Sequence, residues 1–207
     1  MTLEEKNQND ILNEFNDPND IEFIFSDKPI NRFKTKPEVE DKISLLAKLK
    51  NDLQNIKNCE LKESAKKLVF SDGNSNSKIM IVGEGPGQKE DEVGKPFVGD
   101  AGLLLNKMLK AININRQDIY ITNVVNYRPP NNRKPEPAEI TRYSEYLRKH
   151  ISIINPKILI LMGSTAMESL FGSKIKISKE RGNWKDVIIN NKSCLLYTSD
   201  AADEKYR

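Results

Sequence analysis

Three short apolar runs, separated by helical patterns, narrow this 207-residue chain to one kind of fold. They are Ile79-Met80-Ile81-Val82, Ile119-Tyr120-Ile121-Thr122 and Ile158-Leu159-Ile160-Leu161. Each is β-branched or aliphatic on both faces, as in a strand covered on both sides. Between the first two lies a compact helical pattern, Ala101 to Leu109. Between the second and third lies Pro137 to Ile154, where Pro137 suits a first helical turn. Ile140, Tyr143, Leu147, Ile151 and Ile154 form its buried stripe, and His150 falls on the helix surface. The alternation predicts a parallel α/β sheet with right-handed crossovers. A helix within Val39 to Asn58 precedes it, with Ile43, Leu45, Leu46, Leu49 and Leu53 on its buried face.

A folded domain is therefore expected over residues 39–193. Residues 1–38 read as a polar arm, either poorly ordered or a partner-binding helix around Ile11, Leu12 and Phe15. No apolar run approaches the ~20 residues that span a bilayer, so no membrane partner is expected. Met1 to Asp10 is acidic and polar, unlike a secretory signal. Cys59 and Cys194 are too few for a disulfide framework and suit a reducing cytoplasm. With His150 they also fall short of a zinc site. The net charge of +3 is too small to mark a nucleic-acid binder, so any basic face must be local.

In open parallel sheets, ligands sit beyond the carboxyl ends of the strands. Three segments meet that condition: Gly83-Glu84-Gly85-Pro86-Gly87, Asn123 to Pro130, and Gly163 to Ala166. They are placed to line one crevice. The Gly83–Gly87 loop lacks the Gly-Lys-Ser/Thr of a phosphate-binding P-loop and the spacing of a dinucleotide fingerprint. By itself it reads equally as a structural turn or an anion nest.

The stretch from Gly83 to Leu109, taken whole, resembles the family 4 uracil-DNA glycosylases. The likeness continues through Ile119 to Val125, Arg128 to Arg133, Pro135 to Ile140, Pro156 to Gly163 and Arg181-Gly182-Asn183-Trp184. Cys59 to Lys62 and Leu68 to Gly73 fit upstream, so that it covers about residues 56 to 190. It implies a three-layer α/β/α sandwich around a four-stranded parallel sheet. It implies uracil-containing DNA as partner, a nucleotide flipped into a pocket, and hydrolysis of its N-glycosidic bond by a monomer.

Under that resemblance Phe97 stacks on uracil. Asn123 reads its edge, accepting from N3–H and donating to O4. Glu84, Gly85, Pro86 and Gly87 wrap the base, and the loop's non-proline residues supply backbone N–H groups. Gly85 stands where other glycosylase families place Asp, which leaves Glu84 and Asp91 as candidates to activate water. Glu90 and Asp91 read equally as a solvated charged turn. Arg128, Arg133, Lys134 and Arg181 are candidate DNA-phosphate contacts. Trp184 is placed on the domain surface, and Thr165 at a helix start, where capping is the default.

Two departures stand out. The family carries a [4Fe–4S] cluster on four cysteines, and the matching positions here read Ile56, Cys59, Tyr127 and Tyr143. One thiolate, one alkyl group and two phenols do not reproduce soft sulfur ligation, so no cofactor is expected. The family also ends in a strand leading to His-Pro-x-x-Leu-Leu, whose His stabilises the departing uracil. Here Cys194-Leu-Leu-Tyr-Thr-Ser-Asp-Ala-Ala-Asp-Glu204 follows instead, a string that resembles a translated sequencing-library adapter. Residues 194–207 are therefore read as a non-native tail, and the chain as a truncated glycosylase with an open sheet edge. Two other readings follow from the same residues. One is a non-catalytic uracil- or nucleic-acid-binding remnant of the fold. The other is a phosphate-binding α/β protein, which would need neither Asn123 nor Phe97.

Overall fold

The computed structural model describes residues 41–172, 174, 177–189 and 192–199. The arm, including Ile11, Leu12 and Phe15, lies outside these residues, as do residues 200–207. In chain order the elements are α1 (Lys42–Gln54), α2 (Glu60–Ser64), β1 (Asp72–Gly73), β2 (Ile79–Gly83), α3 (Gln88–Val93), α4 (Asp100–Ala111), β3 (Tyr120–Asn123), α5 (Pro137–Ile154), β4 (Ile158–Met162), α6 (Ser164–Phe171), α7 (Ile177–Glu180), β5 (Trp184–Ile189) and β6 (Lys192–Ser199). Short 3-10 turns cover Arg116–Asp118 and Pro130–Asn132.

The three apolar runs become β2, β3 and β4, with β2 in the middle of the three. The full order is β1-β3-β2-β4-β6-β5. The β3, β2, β4 and β6 strands run parallel, in keeping with the expected four-stranded sheet. Two antiparallel edge strands extend it: β1 beside β3 and β5 beside β6. Side chains alternate across a strand, so each run feeds two cores. Met80 and Val82 join Tyr120, Leu159, Leu161 and Leu196 against α1, α5 and α6. Ile81 joins Ile119, Ile121 and Met162 against Leu105 and Leu109 of α4. These two faces give the three layers.

The predicted stripe of α5 is buried at all five positions. Its capping differs from a simple proline start, because the Glu139 carboxylate also accepts from the Glu136 N–H at 2.7 Å. His150 requires a correction. It is buried, stacked on Phe70 at 4.7 Å, with Nε2 2.7 Å from the Tyr120 hydroxyl. The α5 helix is covered on two sides, so a polar residue adjacent to the stripe is enclosed as well. In α1, Leu49 and Leu53 are buried while Ile43, expected on the buried face, is 68% exposed.

The edge expected to be open is filled. The β6 strand pairs in parallel with β4 from Leu195 opposite Ile158 to Ser199 opposite Met162. Cys194, Leu196 and Thr198 point inward and are buried. Apolar-polar alternation suffices for that role, since strand pairing uses backbone groups.

Candidate active site

The β2, β3 and β4 strands end together, and a cavity of about 340 Å³ opens beyond their carboxyl ends. It is lined by Gly83 to Gly87, Glu90, Phe97, Asn123, Pro129, Arg133, Lys134 and Met162, among others. The loops expected after β2 and β3 thus meet. The β4 side supplies Met162 to the lining, and Thr165 acts on it from α6.

Gly83 fixes the pocket floor. A Cβ there would sit 2.6 Å from Asn123 Oδ1 and 2.6 Å from the Phe97 ring. The amide and the aromatic edge therefore converge over one bare backbone position. Asn123 closes β3 and is only 2% exposed. Its Oδ1 is the one buried side-chain polar atom without a hydrogen-bond partner among the described residues. Such an acceptor costs about 1–3 kcal/mol, which a ligand donor would recover.

Phe97 is partly buried and has φ +52°, a left-handed conformation rare for bulky side chains. Strain of this kind costs on the order of 1–3 kcal/mol and collects at functional sites. Glu84 is also partly buried. Its Oε2 accepts from the Thr165 hydroxyl at 2.6 Å. Thr165, expected as a cap, instead reaches across from the first turn of α6 to hold this carboxylate. No sequence spacing marks such a contact, because 81 residues separate the two.

Other sequence-predicted residues fall into place differently. Asp91 lies outside the cavity lining and is 1% exposed. Its Oδ1 accepts from the backbone N–H groups of Lys66 and Lys67 at 2.8 and 3.0 Å. That carboxylate pins the segment before β1 and does not face a reacting bond. Glu90 is not a solvated turn residue either. Its carboxylate accepts from Gly87, Val98 and Gly99 N–H groups. The Gly87 N–H is thus committed to Glu90 and not offered to a base. Pro86 is buried, and Gly85 packs so closely that a Cβ would lie 2.7 Å from Val125.

The basic residues split into two kinds. Arg133 is bound bidentately by Glu139 at 2.7 and 2.8 Å, which raises its guanidinium pKa and lowers that of the carboxylate. Lys134 is exposed on the rim, with Nζ 3.0 Å from Ser164 Oγ. Arg128 donates to Asn132 Oδ1 at 2.7 Å and lies outside the lining. Arg181 is exposed in the turn before β5, also outside it. Trp184 is 53% exposed and leans on Tyr197, a surface position as expected.

The four positions matched to cluster cysteines do come together, in the core facing α1 and α5. Cys59 Sγ lies 3.3 Å from the Tyr143 hydroxyl, and the Tyr127 hydroxyl donates to Leu53 O at 3.3 Å. Ile56 fills the fourth place and is 6% exposed. Burial and the neighbouring Cys59 push the Tyr143 phenol far up, so it stays protonated. One thiol and two neutral phenols are the wrong donors for an iron–sulfur cluster, and the residues do not fit that group. Among the described residues, no three His, Cys, Asp or Glu side chains gather where they could hold a metal ion.

Comparison with known proteins bears on the family of the chain. Residues 70–206 match the family model of the uracil DNA glycosylase superfamily. The chain is 45% identical over 126 residues to a Type-4 uracil-DNA glycosylase of Thermotoga maritima, covering 60% of this chain and 66% of that one. It is 44% identical over 149 residues to one from Sulfurisphaera tokodaii, covering 68% and 67%. It is 40% identical over 120 residues to one from Archaeoglobus fulgidus, covering 58% and 60%. The chain thus spans about three fifths to two thirds of the length of these curated relatives.

Proposed function

The chain belongs to the uracil DNA glycosylase superfamily, and from that premise we propose that it excises uracil from DNA, hydrolysing the N-glycosidic bond in base-excision repair. One observation carries the reading: the unpartnered, buried Asn123 Oδ1 facing the cavity beside the Phe97 ring. An acceptor at that depth calls for a ligand N–H, and the ring beside it calls for a flat one. Uracil N3–H, flanked by carbonyls, satisfies both, whereas cytosine presents an acceptor at N3.

Bond cleavage leaves positive charge on the sugar and negative charge on the departing base. Glu84, fixed by Thr165 at the cavity wall, is the carboxylate assigned to orient water beside the sugar. Asn123 holds the base as its charge grows. Lys134 meets a DNA phosphate at the rim, and Arg133 shapes that rim through Glu139. The sole histidine stacks on Phe70, outside the cavity lining. That observation favours a second reading, a uracil-binding remnant that recognises the base without cutting.

Single-turnover cleavage of a uracil-containing oligonucleotide separates the two. Excision that Asn123→Ala abolishes supports the glycosylase. Tight, base-dependent binding without excision supports the remnant. The cysteine content, which suits a reducing compartment, supports a cytoplasmic location, and the family resemblance supports a monomer. The adapter-like string supports reading residues 194–207 as foreign sequence, and resequencing the 3′ end of the gene without that library chemistry tests it.

A further inference from the structure

We propose that Arg116, outside the pocket, and Glu90, on its wall, are positioning residues that clamp the backbone on both sides of Phe97 and so set the plane on which the flipped base stacks. This rests on the stacking role given to Phe97 above. A phenylalanine left to itself does not rest at φ +52°. Two peptide planes meet at its Cα, and the angle between them aims the ring. Both planes are anchored. Arg116 Nη2 donates to Pro96 O at 2.7 Å, which fixes the plane before Phe97. Arg116 Nη1 donates to Phe97 O at 3.0 Å, and Glu90 Oε1 accepts from the Val98 N–H at 2.9 Å. Those two bonds fix the plane after it from opposite ends.

The guanidinium is itself oriented. Its Nε donates to Asp72 Oδ2 at 2.9 Å and its Nη1 to Asn106 Oδ1 at 3.1 Å, with the side chain only 20% exposed. A planar, multidentate cation can serve two carbonyls and two side chains at once, and an ammonium cannot. Glu90 ties the same loop to the glycine loop through Gly87 and Gly99 N–H groups. The α4 helix closes the arrangement: a Cβ on Gly102 would lie 1.9 Å from Phe97 O. Neither charged residue stacks on the base. Each acts through Phe97.

The test compares the affinity of two oligonucleotides that the protein cannot cleave. One carries 2′-deoxypseudouridine, whose C–C glycosidic bond resists hydrolysis while its N3–H edge is retained. The other carries a tetrahydrofuran abasic site and offers no base. The readout is the ratio of the two dissociation constants. In the unaltered protein the base improves binding about five- to a hundredfold, the range for stacking one base on an aromatic ring. Arg116→Met and Glu90→Leu, which remove the donors to Pro96 and Phe97 and the acceptor for Val98, are expected to erase most of that preference and leave abasic affinity unchanged. In a Phe97→Ala background neither substitution should change the ratio further, because they act through the ring. Arg116→Lys should fall between. Preference retained in both Arg116→Met and Glu90→Leu overturns the clamp. Equal loss on both oligonucleotides, additive with Phe97→Ala, overturns it as well. Indifference of the unaltered protein to the base would instead refute the stacking role of Phe97, and the clamp with it.

Discussion

Two regions of this molecule gather polar side chains from distant segments, and they treat them oppositely. In the cavity beyond β2 and β3, Asn123 Oδ1 is buried and left without a partner. In the core against α1 and α5, the Cys59 thiol pairs with the Tyr143 hydroxyl, and the Tyr127 hydroxyl donates to Leu53 O. The first leaves an acceptor open for the proposed ligand. The second is complete as it stands. The number of polar groups gathered does not mark a binding site here. What marks it is a hydrogen-bonding valence the protein leaves open.

Substitutions can break or sharpen this contrast. The largest effect is expected on the closed side. Tyr143 is fully buried, and Tyr143→Ala should cost about 3–5 kcal/mol in denaturant unfolding, in line with other large aromatic deletions. Tyr143→Phe, which only unpairs the thiol, should cost about 1 kcal/mol. Prolonged iron chelation should leave the unfolding midpoint where it is. A drop on chelation would show that this region is not closed after all.

On the open side, Asn123→Ala should lower single-turnover excision about 100- to 1000-fold, with little change in unfolding midpoint. A collapse in stability without a specific loss of excision would mean the acceptor has a hidden structural partner.

An intermediate effect concerns acid. Burial drives the His150 pKa from 6.5 down to about 3. Below pH 6.5 the unfolded chain binds a proton that the folded chain refuses. His150 therefore leaves stability undiminished above pH 6.5 and erodes it as pH falls toward 3, by up to about 1.4 kcal/mol per pH unit. His150→Gln, which keeps a partner for Tyr120, should flatten that limb in pH-dependent thermal melts.

The smallest effect belongs to the rim. Lys134→Ala should weaken DNA binding a few-fold and reduce the salt slope by about one. Arg133→Ala should show chiefly as lost stability, because it strands Glu139.

The sheet was legible because its evidence is local and periodic. The three apolar runs and the five-residue stripe of α5 each advertise their own burial. Helix surfaces were less so: Ile43 and His150 were misjudged because exposure depends on which neighbours overhang a helix. In the site, the strand-end positions of Gly83 and Asn123 were legible, Phe97 entered only through the family resemblance, and the structure brings the three together. The work of Thr165, Glu90 and Arg116 was not. Each acts through a contact that the fold alone creates, and nothing in sequence spacing encodes which carbonyl a guanidinium will find. Asp91 shows the reverse error. A carboxylate in a promising motif proved to be spent on two backbone amides.

The phenol-and-thiol packing beneath α1 and α5 also changes how this protein is made. A fold held at that point by inorganic sulfur would wait on a delivery system and suffer in air. One closed by Tyr143, Tyr127, Cys59 and Ile56 alone would need only its own translation. It should emerge colourless from an ordinary aerobic culture, and its purification calls for neither a glove box nor a reconstitution step.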